Sequence, residues 1–171
     1  APITIIEFSD YQCPYCARFV SNTLSDLKAK YVETGKVKYV FMVYPLNTHK
    51  LAPKASGAAH CAGDQGKYWE MHDILFENRT KLLVDAIKGY AGTIGLDTAG
   101  FSECLDSDKY ALTVRKHFQI GREQLNVTAT PSFRLGYTSE DGKSVRVVAG
   151  MRGAKTLPSF DKEIEALLAS D

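Results

Sequence analysis

The amino-acid sequence predicts an α/β fold: a central mixed β-sheet flanked by helices, with a helical subdomain inserted into it. Three observations predict it. An apolar run, Ile3-Thr4-Ile5-Ile6-Glu7-Phe8, leads into Cys13-Pro14-Tyr15-Cys16 and then into a helical stripe, so strand, turn and helix follow one another. The stretch 50–125 keeps helical patterning throughout and is too long to be a loop. Beyond it, two short β-rich runs flank Glu140-Asp141-Gly142-Lys143, the composition of a hairpin turn. The expected division is therefore 1–49 with 126–171 for the sheet domain and 50–125 for the insertion.

Each element has its own signal. In Ala17–Tyr31 the apolar residues Phe19, Val20, Leu24, Leu27 and Tyr31 fall on one face of a helix. Val37–Val43 is β-branched and aromatic, follows Gly35 and stops before Pro45, which makes 3–43 a β-α-β unit with parallel strands and a right-handed crossover. Candidate helices in the insertion are 51–64, 66–76, 84–94, 98–105 and 109–124, with Asp97 and Asp108 as N-caps and Gly92, Gly95 and Gly121 as punctuation. Ser132-Phe133-Arg134-Leu135 follows Pro131, and Ser144-Val145-Arg146-Val147-Val148 follows the turn. A last helix, 157–169, has Pro158 in its first turn and Phe160, Ile164, Leu167 and Leu168 on its apolar face.

Composition excludes several classes of function. The chain has 171 residues, 44% of them apolar and 24% charged, as expected of a globular domain with a sizeable core. A net charge of +1 gives no electrostatic reason to expect nucleic acid or an anionic membrane as partner. No apolar run approaches the roughly 18 residues of a membrane span. The sequence opens on Ala1 and not on Met, which fits a processed or trimmed start, so the lack of a signal peptide does not argue for the cytosol.

Cys13-Pro14-Tyr15-Cys16 carries the chemistry. A C-x-x-C in the first turn of a helix that follows a strand is the layout of a thiol–disulfide redox centre. Pro14 suits the first helical position, where a missing N–H costs nothing. Cys13 then meets unsatisfied N–H groups and the positive end of the helix dipole, which favour its thiolate and make it the attacking sulfur. Cys16 lies a turn deeper and closes the disulfide by exchange. A zinc knuckle would need a second pair at ligand spacing, and Cys61 and Cys104 stand alone; no metal site is expected. If Cys61 and Cys104 pair, they close a long loop and imply an oxidising compartment; if free, they are small buried apolar side chains.

This plan resembles the thioredoxin fold, and the run Glu7-Phe8-Ser9-Asp10-Tyr11-Gln12-Cys13-Pro14-Tyr15-Cys16 is similar to the DsbA-like branch of that superfamily. His60 to His72 (His-Cys-Ala-Gly-Asp-Gln-Gly-Lys-Tyr-Trp-Glu-Met-His) and Thr128-Ala129-Thr130-Pro131-Ser132-Phe133 extend the likeness over essentially the whole chain. The resemblance implies a cis peptide before Pro131, facing the redox pair. Thr130-Pro131 would there offer backbone groups to an extended substrate, beside Pro14 and Tyr15. It also implies an exported, extracytoplasmic thiol:disulfide oxidoreductase, monomeric and without a cofactor, that introduces disulfides into folding proteins. Residues ahead of Ala1 would be the place for a membrane anchor. Its expected partners are protein thiols and a quinone-linked membrane thiol oxidase, DsbB-like or vitamin-K-epoxide-reductase-like.

Glu7 interrupts an apolar strand six residues before Cys13, so a carboxyl beneath the sulfurs, with its pKa raised by burial, is expected to exchange a proton with Cys16. The resemblance supports that role; Asp10 and Lys38 are further contributors to weigh. Tyr15 lies between the cysteines and is expected to contact substrate and help set the potential. It stands where the most oxidising members have His, and Pro-Tyr is the glutaredoxin dipeptide, which leaves a reductase or isomerase direction as the alternative. A binding module with vestigial chemistry is a third reading, opposed by the retention of Cys13, Cys16 and Pro131. His49, His60, His72 and His117 lack metal-ligand spacing and read as packing residues, and Trp69, Met71, Leu75 and Phe76 as core of the insertion.

Overall fold

The computed structural model describes residues 1–170. Its sheet has four strands in the order β2-β1-β3-β4: β1 (Ile3–Ser9), β2 (Val37–Val43), β3 (Ser132–Thr138) and β4 (Val145–Arg152). β1 runs parallel to β2 and antiparallel to β3, and β3 and β4 form the antiparallel hairpin. The sheet is therefore mixed, as the sequence predicts. β1 is central and every one of its residues is buried, which explains its unbroken apolar run and makes Glu7 conspicuous.

The first helical run begins at Pro14, the first helical position expected for it. It passes from α1 (Pro14–Phe19) through a wide turn at Val20–Leu24, then α2 (Ser25–Leu27), then a second wide turn at Lys28–Val32. Helical dihedrals at every junction make it one continuous rod with π-type turns. Its apolar face, Phe19, Leu24 and Leu27, joins Phe160 and Ile164 of α8 (Leu157–Ala169) in covering Ile3, Ile5, Phe133 and Leu135 of the sheet. Phe133 anchors this core, with its ring centroid 4.7 Å from Phe19 and 4.9 Å from Phe160. On the opposite face Ile6 and Phe8 pack with Tyr44 and Val127.

Between β2 and β3 lie α3 (Ala52–Gly63), α4 (Tyr68–Glu77), α5 (Val84–Thr93), α6 (Thr98–Asp106), α7 (Ala111–Gln119) and a π-type turn at Ile120–Gln124. α3 buries Ala55, Ala58, Ala59 and Ala62, and these small side chains let its neighbours pack close against it. A disulfide joins Cys61 of α3 to Cys104 of α6, with Cα atoms 5.9 Å apart. Among the described residues no helix is long and apolar enough to cross a membrane.

Several expectations need correcting. Asp97 does cap α6, its carboxylate accepting the Ala99 N–H, but Asp108 caps nothing. Asp108 has φ +54° and pairs with Lys54, and α7 starts later, after Tyr110. Gly121 does not punctuate; it sits buried inside the Ile120–Gln124 turn against the rings of Phe8 and Tyr44. Met71, Leu75 and Phe76 are core, whereas Trp69 is 37% exposed and its ring carries the Lys28 ammonium 4.0 Å from its centroid.

Candidate active site

β1 delivers the chain to the sulfurs. After Ser9 the loop Asp10–Gln12 is fastened to the start of the helical insertion. The buried Asp10 carboxylate accepts the N–H groups of Gln12 (2.7 Å) and Leu46 (2.8 Å) and lies 2.9 Å from His49 Nδ1. Gln12 Oε1 accepts the N–H groups of Leu51 (2.8 Å) and Ala52 (2.9 Å), at the entry to α3. Asp10 thus holds the loop and does not reach toward the sulfurs. Lys38 is also elsewhere: its Nζ donates to the Gly142 carbonyl in the β3–β4 turn.

Cys13 occupies the N-cap of α1 in extended conformation, with Pro14 first in the helix. Cys13 and Cys16 are both buried free thiols. The Cys13 thiol donates to the Thr130 carbonyl at 3.6 Å, and the Thr130–Pro131 peptide is cis. The two sulfurs are electrostatically unlike. The Cys13 pKa is lowered to about 6, chiefly by the Cys16 thiol beside it, with help from the Thr130 hydroxyl and the N–H groups of Cys16 and Tyr15, and against the effect of its burial. Burial pushes Cys16 well above the ordinary thiol range, and the neighbouring Cys13 adds to this. The helix N-terminal amides named in the sequence reading do act on Cys13, but less than its partner thiol does.

Glu7 lies beneath this pair with 0% exposure. Desolvation raises its pKa to about 7, although the Tyr39 hydrogen bond, the nearby Ser9 hydroxyl and the charge of Lys28 oppose the shift. The Tyr39 hydroxyl donates to Glu7 Oε2, while Oε1 has no hydrogen-bond partner among the described residues. Burial and the adjacent Glu7 push the Tyr39 phenol well up, so it stays protonated and available as a donor. On the outer side Tyr15 is 55% exposed, and the Arg18 guanidinium lies 5.2 Å from its ring centroid. A cation therefore does stand beside Tyr15, one helical turn on.

Folding thus brings together Glu7, Cys13, Cys16, Thr130 and Pro131, with Pro14 and Tyr15 at the rim. Cys61 and Cys104 are consumed in the second bridge. Sequence reading missed Ser9, Lys28, Tyr39 and Arg18. The Tyr15–Arg18 spacing of three was a usable signal on a helix. Tyr39 was findable only through register, since its neighbour-but-one Phe41 pairs with Glu7. Among the described residues no group of three His, Cys, Asp or Glu is placed to hold a metal ion.

Comparison with known proteins finds similarity along most of the chain. A family model described as thioredoxin matches residues 1–145. A protein named Na(+)/H(+) antiporter NhaA 1, from Salinispora arenicola, is 31% identical over 173 residues, covering 95% of this chain and 25% of the relative. The chain spans about a quarter of the length of the antiporter relatives it matches. A putative protein-disulfide oxidoreductase of Rickettsia bellii is 27% identical over 95% of this chain and 61% of its own length. Disulfide bond formation protein D of Bacillus subtilis is 28% identical over 77% and 62%. Among solved structures, alpha-DsbA1 of Wolbachia pipientis superposes with a TM-score of 0.85 at 26% identity, over 99% of this chain and 87% of that one. Oxidised BdbD of Bacillus subtilis gives 0.80 at 22% identity, over 97% and 87%, a likeness of fold.

Proposed function

This chain belongs to the thioredoxin family and is DsbA-like, and from that premise we propose that it donates its Cys13–Cys16 disulfide to folding proteins outside the cytoplasm. One observation carries the proposal: the inequality of the two sulfurs, Cys13 favoured as thiolate and Cys16 as thiol. A disulfide whose reduced form is stabilised in this way is a stronger oxidant. The second bridge, Cys61–Cys104, supports an oxidising compartment.

A substrate thiolate attacks Cys13 Sγ, a substrate–Cys13 disulfide forms, and the Cys16 sulfur leaves. Cys16, with its raised pKa, takes up a proton, and Glu7, about half protonated near pH 7, is the group placed to supply it. A second substrate thiolate then attacks the substrate sulfur of the mixed disulfide and expels Cys13 as thiolate, an easy leaving group because its pKa is low. Throughout, Thr130-Pro131 presents backbone to an extended substrate segment, and the exposed Tyr15 ring offers an apolar contact. Reoxidation falls to a quinone-linked membrane thiol oxidase of DsbB or vitamin-K-epoxide-reductase type. Tyr15 between the cysteines favours one second reading, transfer in the reductive direction. Oxidative refolding of a reduced, disulfide-containing protein tests the reading: Cys13→Ala is expected to abolish disulfide formation, and an alanine variant that still catalyses it contradicts the role of Cys13.

A further inference from the structure

β1 brings two buried polar side chains to one face. Glu7 and Ser9 are two residues apart on a strand, so they point the same way, and both are 0% exposed. Each has an atom left over: Glu7 Oε1 and Ser9 Oγ make no hydrogen bond among the described residues. Buried orphans of this kind are costly. A carboxyl oxygen and a hydroxyl are complementary, since the hydroxyl can donate to one neighbour while accepting from another. The Ser9 hydroxyl lies where it favours the ionised forms of both Glu7 and Cys16. Oε2 of Glu7 is already held by Tyr39, so only Oε1 is free to exchange a proton.

We propose that the Ser9 hydroxyl carries the proton between the Cys16 sulfur and Oε1 of Glu7, so that Glu7 acts on Cys16 through Ser9. The inference deepens the proposed function and rests on the role given there to Glu7. When the enzyme is reoxidised, the Cys16 S–H proton passes to Ser9 Oγ while the Ser9 proton passes to the Glu7 carboxylate. The Cys16 thiolate attacks Cys13 Sγ, the Cys13–Cys16 bond forms, and the bond from Cys13 to its mixed-disulfide partner breaks. That partner leaves as a thiolate and takes its proton from water. In the donating direction the same transfers run backwards. Ser9 is suited to this because a hydroxyl relays a proton without itself becoming charged in the buried site.

The ionisable groups facing Glu7 are Tyr39 from β2, Lys28 from the first helical run, Cys13 at the N-cap of α1 and Cys16 within it, Tyr68 from α4 and Tyr11 from the loop after β1. The three tyrosines are pushed above their ordinary range. Within the neutral pH range, then, Glu7 and Cys13 are the groups of this cluster that change charge.

The test is the closure step. Reduced protein is mixed with glutathione disulfide between pH 5 and 9, and acid quenching follows release of the second glutathione, as Cys16 closes on the Cys13–glutathione mixed disulfide. The wild type should show a rate step centred near pH 7. Ser9→Ala should close about tenfold more slowly or worse and lose that step, and Ser9→Thr, which keeps the hydroxyl, should restore both to within about twofold. Should the alanine variant fail to fold, Ser9→Val against Ser9→Thr makes the same comparison between near-isosteric side chains. A Ser9→Ala protein with wild-type rate and pH profile overturns the relay, as does a slow one whose profile is unchanged and which threonine does not rescue. Glu7→Gln separates the two levels. If it loses the step while Ser9→Ala keeps it, the relay fails and the role of Glu7 stands; if it keeps the step, both fail.

Discussion

Glu7 holds its proton to about pH 7 because burial costs its carboxylate more than Tyr39, Ser9 and Lys28 return. This has a consequence for stability whose sign is fixed. A carboxyl with a folded pKa near 7 and an ordinary value of 4.5 stabilises the fold fully below pH 4.5, and that contribution is lost as pH rises through 7. Relative to Glu7→Gln, which cannot ionise, the reduced wild type should lose on the order of 3 kcal/mol of unfolding free energy between pH 4 and 9. Urea titrations of the two proteins across that range check it, and parallel curves would contradict it. Glu7 itself was legible in the sequence, since a lone acid in an apolar run six residues before Cys13 invites the question. Ser9 and Tyr39 were not, because what singles them out is burial and register, and neither serine nor tyrosine is unusual in a strand. Lys28 reaches the site from another element, and nothing local announces it.

At the scale of elements, two glycines show how closely the sheet and its cover approach. At Gly136, beside the β-bulge between Leu135 and Gly136, an added Cβ would lie 2.2 Å from the Arg146 carbonyl oxygen, a backbone atom fixed in β4. At Gly121 it would lie 2.9 Å from ring atoms of Phe8 and Tyr44, which are side chains with some room to shift. Gly121→Ala should cost about 1–3 kcal/mol, and Gly136→Ala more, because backbone must move. Denaturant midpoints of the two variants test the order, and a milder Gly136 variant would contradict it. The strands and the last helix were readable because apolar spacing and turn chemistry agree there. β4 runs on to Arg152, past the predicted end, because its pairing with β3 continues through Gly150. Asp108 misled because an aspartate before a helical stretch has the look of a cap, while its actual partner is Lys54, 54 residues away in sequence.

For the whole molecule, the arrangement is one of supports converging on two sulfurs. Asp10 and Gln12 fasten the loop before Cys13 to the entrance of the helical insertion, and Cys61–Cys104 braces α3 against α6. Thr130 comes from 117 residues away to meet Cys13. The C-x-x-C announced the chemistry in sequence, but its direction depends on how unequally the fold treats the two thiols. The reduction potential of Cys13–Cys16, measured by equilibration against glutathione at pH 7, tests that most directly. The account predicts a value more oxidising than about −200 mV, toward the roughly −120 mV of DsbA-type donors. A value near the roughly −270 mV of thioredoxin would mark a reductant and contradict it.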